Sequence, residues 1–309
     1  MNIVFMGTPD FSVPCLENLI SSGYEISGVF TQPDKKVGRK QLLTPSAVKT
    51  AELKHKLSVY QPKTLKDGEA LEIIKTLHPD LIVVVAYGKI LPKEILEFAQ
   101  HGCINVHASL LPKYRGAAPI QHAVLNGDME TGVCVQQMNE GIDTGDILFT
   151  VKTEIDINET SEQLFERLSV IGAEALLNTV SLIEKNELNP VEQPQGDFGY
   201  ASMIDKSMSN IDWSRTAFEI HNQIRGLQTW PAASTFINGK SVKIHKSVLS
   251  GECGNEPGKT VHNKDVLTVS CGDGKCIDIL EIQPDGKKKM DIKAFLSGNK
   301  IELGTILGK

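Results

Sequence analysis

Short apolar runs that alternate with helix-length segments are the feature that most restricts the fold of this chain. Residues 2–6 and 80–86 are apolar runs bounded by turn residues, as buried strands are, and residues 11–20 carry apolar side chains at helical spacing. The same patterns predict further strands at 25–31, 57–60, 103–107, 132–138 and 147–155, and helices at 49–56, 67–77, 92–100, 116–126 and 160–187. Strands that alternate with helices predict an α/β protein with a mostly parallel, doubly wound sheet.

The last third of the chain has a different pattern. Residues 190–205 contain Pro, Gln and Gly without periodicity, which is typical of a linker. A helix is predicted at 215–226, and short strands follow at 233–237, 240–248, 258–261, 266–271 and 276–283. Evenly spaced strands with Gly-bearing turns indicate a small β-barrel. We therefore expect a catalytic domain at 1–189, a linker at 190–207 and a carboxyl-terminal domain at 208–309.

Composition excludes several classes of protein. The longest apolar run, at residues 81–86, is far shorter than the ~20 residues that cross a bilayer, and no secretory signal opens the sequence. The six cysteines form no C-x-x-C pair and have no zinc-ligand spacing. We expect reduced, mostly buried thiols and a cytoplasmic protein. The cysteines are Cys15, Cys103, Cys134, Cys253, Cys271 and Cys276.

The net charge of −6 is unevenly distributed. Residues 208–309 contain 14 Lys and Arg against 11 Asp and Glu, whereas residues 1–207 contain 18 against 27. A mildly basic end is compatible with a polyanionic partner, although an excess this small is also typical of an ordinary solvated surface.

Ligands of doubly wound sheets bind beyond the carboxyl ends of the strands, which points to the turns after Met6, Ala86 and Val106. The first turn lacks G-x-G-x-x-G, so dinucleotide binding is not favoured. At the strand end before the third turn, Asn105 and His107 are two residues apart and share one face of the strand. An amide donor and an imidazole suit acyl-type transfer, but both side chains can also serve only the backbone at a strand end.

Asp143 lies between two glycines in the segment N-E-G-I-D-T-G-D-I at 139–147. The glycines permit tight turns that direct the carboxylate inward, where it would orient His107 and accept a proton from an amine. The spacing also fits an ordinary turn aspartate.

Several motifs carry a family resemblance. The segment N-V-H-A-S-L-L-P-K-Y-R-G-A-A-P-I at 105–120, with D-T-G-D-I-L at 143–148, resembles the folate-dependent formyltransferases. Five further segments resemble more specifically the branch of this family that acts on methionyl-tRNA. They are F-M-G-T-P-D-F, F-T-Q-P-D-K-K-V-G-R-K, V-V-A-Y-G-K-I-L-P, I-D-W-S and I-R-G-L-Q-T-W-P. It spans nearly the whole chain. Thr229 departs from it, since many relatives have proline there, at a domain-junction turn.

The resemblance implies a Rossmann-like amino-terminal domain joined to an OB-like barrel. It also implies transfer of the formyl group of 10-formyltetrahydrofolate to the α-amino group of methionyl-initiator tRNA, in support of translation initiation, without a metal. By this resemblance the catalytic residues are Asn105, His107 and Asp143. The folate-contacting residues are Ser109, Leu110, Leu111 and Pro112.

The expected partner is initiator methionyl-tRNA, with the folate as co-substrate, no membrane and a monomeric enzyme. The loop at 33–49 carries five Lys and Arg against one acid, and in the family an insertion here reaches the acceptor end of the tRNA. The expected tRNA contacts are Lys35, Lys36, Arg39 and Lys40 in this loop, with Arg39 the chief one, and Lys240, Lys243 and Lys246 on the barrel. Trp213 and Trp230 can stack on bases, but we favour core packing for both.

Two other functions fit part of the pattern. A formyltransferase for an amino-sugar nucleotide is compatible with a barrel-like tail, whereas the purine enzyme that formylates glycinamide ribonucleotide would end near residue 200. A catalytically silent RNA-binding relative is the alternative from a different class. The basic loop favours tRNA, and the presence of Asn105, His107 and Asp143 favours an enzyme.

Overall fold

A computed structural model describes residues 1–38, 41–254 and 256–308, without the side chain of Leu53. The chain folds into two compact units, each assembled from several segments. The first comprises Met1–Gly116, Thr131–Thr153 and Phe165–Tyr200, and the second comprises Ala117–Glu130, Glu154–Leu164 and Ala201–Lys309. The predicted boundaries at 189 and 208 remain predictions.

The strands and helices alternate along the first part of the chain, and strands dominate the last. The strands are β1 Asn2–Gly7, β2 Glu25–Phe30, β3 Lys35–Val37, β4 Leu42–Thr44, β5 Val59–Tyr60, β6 Leu81–Val85, β7 Cys103–His107, β8 Arg115–Gly116, β9 Glu130–Gln137, β10 Ile147–Glu154, β11 Tyr200–Ala201, β12 Ala233–Ile237, β13 Lys240–Glu252, β14 Thr260–His262, β15 Leu267–Ser270, β16 Lys275–Pro284 and β17 Met290–Asp291. The helices are α1 Val13–Ser21, α2 Ala47–His55, α3 Glu69–Leu77, α4 Lys93–Leu96, α5 Pro119–Leu125, α6 Ser161–Lys185, α7 Ala217–Gly226 and α8 Ile292–Gly298. Two 3₁₀ turns lie at Asp10–Ser12 and Lys206–Ser209.

The first unit is built on a seven-stranded sheet with the order β10-β9-β7-β6-β1-β2-β5. The pairings of β1 with β2 and β6, of β2 with β5 and of β6 with β7 are parallel, whereas β7 and β9 pair in antiparallel fashion. The chain winds outward in one direction through β2 and in the other through β6 and β7. The carboxyl ends of β1 and β6 therefore flank a topological switch point, which is where such sheets bind ligands. The predicted doubly wound sheet is confirmed.

Burial explains why this sheet forms. Every residue of β6 is buried, because the strand is the continuous Leu-Ile-Val-Val-Val run that a sheet covered on both faces requires. Side chains from α3 and α4, including Ile74 and Ile95, pack against it in one apolar cluster. Each fully buried side chain of this size contributes about 1.5–3 kcal/mol to the free energy of unfolding.

The second unit contains an antiparallel sheet with the order β12-β13-β16-β15-β14, in which β17 also pairs with β16. This arrangement is consistent with the expected OB-like barrel. Ile220 and Ile224 of α7 pack into its core. Thr216 and Glu219 form a capping box that fixes the start of this helix. Trp213 is buried in the same core and donates its indole N–H to Thr235 Oγ1 at 3.0 Å.

The structure departs from the sequence expectations in four places. The segment at 33–49 contains the hairpin β3–β4, which the sequence did not predict, and α8 was also missed. Core packing is wrong for Trp230, which is 56% exposed. The expectation of reduced thiols is wrong for Cys253 and Cys276, which form a disulfide, while the other four cysteines are buried and free.

Among the described residues, no helix combines the length and the apolar character needed to cross a membrane.

Candidate active site

Strand β7 places Asn105 and His107 at the carboxyl end of the sheet. The strand lies between β6 and β9, with Asn105 opposite Val84 on one side and Gln136 on the other. Alternation along the strand puts the two side chains on one face. His107 is 5% exposed, so its imidazole is almost entirely enclosed by protein.

Asp143 is brought to this strand by a tight loop between β9 and β10. Its φ is +53°, in the left-handed region, and Gly145 lies two residues further on. A Cβ at Gly145 would lie 1.7 Å from the carbonyl oxygen of Gln137, so only glycine fits there. Asn139 Oδ1 closes the loop by accepting from Gly141 N at 3.0 Å and Thr144 Oγ1 at 2.8 Å. The two-glycine pattern therefore does direct the carboxylate inward.

The three predicted catalytic side chains converge. Asp143 Oδ2 is 3.5 Å from His107 Nδ1, and Asp143 Oδ1 is 3.5 Å from Asn105 Nδ2. His107 Nε2 is 2.9 Å from the carbonyl oxygen of Tyr114. A carbonyl only accepts, so Nε2 carries a proton, and Nδ1 is the nitrogen that faces the carboxylate.

Two groups that the sequence analysis missed hold Asp143 more closely than the predicted partners do. Gln136 Nε2 donates to Asp143 Oδ1 at 2.8 Å, and the backbone N–H of Gly116 donates to Oδ2 at 2.9 Å. Gln136 stands directly opposite Asn105 in the β7–β9 register. A glutamine within an apolar strand belongs to no motif, so the sequence did not identify Gln136. Its role follows from its pairing opposite Asn105.

Gln193 and Arg115 extend this network. Gln193 Nε2 donates to the backbone oxygens of Asp143 at 3.0 Å and Gly145 at 2.7 Å, and is 3.4 Å from Gln136 Oε1. Arg115 donates to Gln193 Oε1 from Nε at 3.0 Å and from Nη2 at 2.7 Å. Gln193 falls in the segment that the sequence analysis assigned to a linker, so its role was missed.

The turn after β7 contains the four residues expected to contact the folate. Ser109 Oγ donates to the carbonyl oxygen of Lys113 at 2.6 Å. The N–H of Lys113 donates to the carbonyl oxygen of Leu110 at 3.1 Å. The N–H of Leu111 donates to Cys134 Sγ at 3.3 Å, across from the end of β7. Ser109 and Leu111 are buried, whereas Leu110 is half-buried. The turn is therefore internally fixed and adjacent to His107.

The expected tRNA contacts are distributed over both units. Lys35 and Lys36 are exposed on β3, whereas Arg39 and Lys40 lie outside the described residues. Lys49 of the same loop is held by Asp34, at 2.8 and 2.9 Å from its carboxylate oxygens. The barrel lysines, all on β13 and all exposed, are Lys240, Lys243 and Lys246.

No cluster of three or more His, Cys, Asp and Glu side chains suited to a metal ion occurs in the part of the chain that the structure describes.

Both parts of the chain match models of one family. The formyl transferase model matches residues 1–180, and the model of the formyl transferase carboxyl-terminal domain matches residues 203–300. The methionyl-tRNA formyltransferase of Alkaliphilus oremlandii is 49% identical over 311 residues, covering 100% of each chain. That of Caldanaerobacter subterraneus subsp. tengcongensis is 46% identical over 309 residues, covering 99% of this chain and 100% of the other.

Solved structures share the fold. WlaRD, a sugar 3N-formyl transferase crystallised with dTDP and 5-N-formyl-THF, superposes with a TM-score of 0.70 at 24% identity, covering 93% of this chain and 99% of the other. HypX from Aquifex aeolicus in complex with tetrahydrofolic acid superposes with a TM-score of 0.66 at 15% identity, covering 98% of this chain and 50% of the other. With both domain models matched and full-length relatives near half identity, the chain belongs to the formyl transferase family.

Proposed function

We propose that this enzyme transfers the formyl group of 10-formyltetrahydrofolate to the α-amino group of methionyl-initiator tRNA, in the cytoplasm and as a monomer. The observation that carries the proposal is the convergence of Asn105, His107 and Asp143, with the carboxylate 3.5 Å from each of the other two groups, at the carboxyl end of β7. The family membership supplies the reaction class, and the 46–49% identity to full-length methionyl-tRNA formyltransferases supports this acceptor.

The turn at 109–112 fits a folate. Half-buried Leu110 offers an apolar contact for a flat ring, and the turn's own hydrogen bonds hold its backbone in place before anything binds. Ser109, Leu110, Leu111 and Pro112 would hold the folate beside His107. The bound folate supplies the formyl group, and its N10 is the leaving nitrogen.

Asn105 and His107 would stabilise charge on the formyl oxygen. As the amine attacks, negative charge develops on this oxygen, and the amide N–H₂ of Asn105 is a neutral donor that needs no proton transfer to stabilise it. When it is protonated, the imidazole adds positive charge beside that oxygen, because its two ring nitrogens face the Tyr114 carbonyl and Asp143. Such interactions are most effective in an enclosed site, and His107 is buried.

Asp143 would orient His107 and take a proton from the α-ammonium group of methionyl-tRNA, so that the free amine can attack the formyl carbon. Its carboxylate is the only acid among the three, and it faces Nδ1 of the imidazole. A proton must also reach N10 as it leaves, and the imidazole is the group that can return one.

Two basic surfaces would bind the tRNA. Lys35 and Lys36 on the β3–β4 hairpin, with Arg39 and Lys40 beyond them in sequence, would reach the acceptor end. Lys240, Lys243 and Lys246 on β13 would contact phosphates, which positions the tRNA without reading its sequence. The exposed ring of Trp230 can stack on a base.

The test is labelled formyl transfer to purified methionyl-initiator tRNA, with an amino-sugar nucleotide as the competing acceptor. We expect transfer to the tRNA alone. Asn105→Ala and His107→Ala should each lower kcat by about 10²–10³-fold, the usual cost of losing an oxyanion donor, and still bind tRNA. Transfer to the sugar nucleotide instead would contradict the proposed acceptor. Unchanged turnover in both variants would contradict the proposed catalytic groups.

A further inference from the structure

We propose that Gln136 and Gln193 are positioning residues for Asp143, forming a chain of hydrogen bonds that begins at Arg115 and ends at the carboxylate. The inference rests on the proposed function, because it assigns residues that act through Asp143 in that reaction.

The two ends of the chain fix the direction of every bond in it. The guanidinium of Arg115 only donates, so Gln193 must present Oε1 to it, at 3.0 and 2.7 Å. Gln193 Nε2 then points at the backbone oxygens of Asp143 and Gly145, which only accept. The amide of Gln193 is therefore held in one orientation from both sides.

The fixed amide of Gln193 in turn fixes the orientation of the Gln136 amide. Gln193 Nε2 lies 3.4 Å from Gln136 Oε1, which leaves the Nε2 of Gln136 to face Asp143 Oδ1 at 2.8 Å. A flipped Gln136 would put its oxygen against the carboxylate, which is repulsive. The chain thus selects the amide orientation that donates to Asp143.

This contact matters because of the loop that it holds. Asp143 has a left-handed backbone with φ of +53°, and its side chain reaches His107 and Asn105 only at 3.5 Å, the outer limit of hydrogen bonding. The closer bonds, from Gln136 and Gly116, set where the carboxylate sits. Gln136 and Gln193 are 1% and 3% exposed, so water cannot easily replace their donors.

The chain offers variants that keep volume and remove the donor. Gln136→Met removes both polar atoms, and Gln136→Glu keeps the shape but places a second carboxylate beside Asp143. Gln193→Glu retains an acceptor for Arg115 and loses the donor. Gln137→Met is the matched control, because Gln137 is the next residue of β9 and its amide donates elsewhere, to His101 O at 3.4 Å and Cys103 O at 3.0 Å.

The experiment measures kcat and both KM values for formyl transfer by the full-length enzyme. For each of Gln136→Met, Gln136→Glu and Gln193→Glu we expect a fall in kcat of roughly 10- to 100-fold, the range for losing one hydrogen bond to a charged group, with KM for both substrates within about threefold. Gln137→Met should keep kcat within about threefold. The double variant Gln136→Met/Gln193→Glu should lose less than the product of the two single losses, because Gln193 acts on Asp143 partly through Gln136.

Wild-type kcat in Gln136→Glu or Gln193→Glu would overturn the inference. So would a loss confined to KM, an equal loss in Gln137→Met, or single losses that multiply in the double variant. These outcomes differ from a failure of the proposed function, in which the wild-type enzyme itself would not formylate methionyl-tRNA.

Discussion

Glu52 on α2 is an ionisable residue whose side chain is shielded from solvent. Its side chain is fully buried, and neither carboxylate oxygen has a hydrogen-bond partner among the described residues. Burial raises the pKa of Glu52 from 4.5 to about 7, with Glu17 adding to the effect and His55 opposing it. Glu17 and His55 are themselves paired at 2.7 Å. The folded state therefore favours the neutral form of Glu52.

The raised pKa predicts how stability depends on pH. The folded state binds a proton at Glu52 that the unfolded state releases, so the free energy of unfolding falls as pH rises from about 4.5 through about 7. Glu52→Gln is neutral throughout and should stabilise the protein by roughly 1–3 kcal/mol at pH 8 and by much less at pH 5. Urea denaturation of both proteins at the two pH values measures the difference. An equal effect at both would mean that Glu52 does not titrate in this window.

At the residue scale, the sequence predicted the functional side chains that lie in a motif. It missed those that are recognisable only by their contacts in the folded structure. Asn105, His107 and Asp143 stand in recognisable segments, and the structure brings them together. Gln136 and Gln193 are 57 residues apart in sequence and come together only in the folded structure. No local pattern encodes such a meeting, because it depends on the packing of the whole unit.

At the scale of elements, the hairpin β3–β4 shows where strand prediction from apolar and polar alternation fails. All six residues of its two strands are exposed, so there is no alternation between a buried and a solvated face for a sequence pattern to reveal. Val37, Leu42 and Leu43 expose between 54% and 66% of their surface. By contrast, β6 and β12 were predicted nearly to the residue, because burial imposes a clear pattern on them.

The exposed hairpin yields a prediction about tRNA use. Lys35→Ala/Lys36→Ala should raise KM for methionyl-tRNA, leave KM for the folate unchanged, and reduce the slope of log affinity against log salt by about 2, as expected for two lost phosphate contacts. The slope is measured from tRNA dissociation constants determined at several salt concentrations. Lys66→Ala, another exposed lysine of the same unit, is the control. An unchanged slope would remove the hairpin from the tRNA-binding surface.

The segment between α7 and β12 yields a second prediction at this scale. The chain has two tryptophans, of which Trp213 is 5% and Trp230 is 56% exposed. Acrylamide should quench mainly the fluorescence of Trp230, and tRNA should quench it also if the ring stacks on a base. Trp230→Phe should abolish both effects, whereas Trp213→Phe should retain them. Quenching by tRNA that survives in Trp230→Phe would contradict stacking at this position.

At the scale of the whole molecule, the expected tRNA contacts are divided between two basic surfaces. The expected phosphate contacts lie on an exposed hairpin of the first unit and on β13 of the second, in a chain whose net charge is −6. An acidic protein must therefore bind a polyanion through local basic surfaces. Neither surface alone should account for the affinity.

Two separate surfaces predict that the losses in tRNA-binding free energy are additive. Lys243→Ala/Lys246→Ala should weaken tRNA binding without changing kcat at saturating tRNA, and its fold-change should multiply with that of Lys35→Ala/Lys36→Ala, because separate phosphates are lost. The dissociation constants of the wild-type enzyme, both double variants and the quadruple variant test this. A quadruple variant no weaker than one double variant would show that only one surface binds the tRNA.

The lack of space around Gly145 also limits how this enzyme can diversify. A saturation library across residues 139–147 should return glycine at 145 almost exclusively, since any side chain there would overlap the main chain of Gln137. Ile142, which is 53% exposed, should accept many replacements. Sequence variation in this loop is therefore more accessible to selection at position 142 than at the glycine that shapes it.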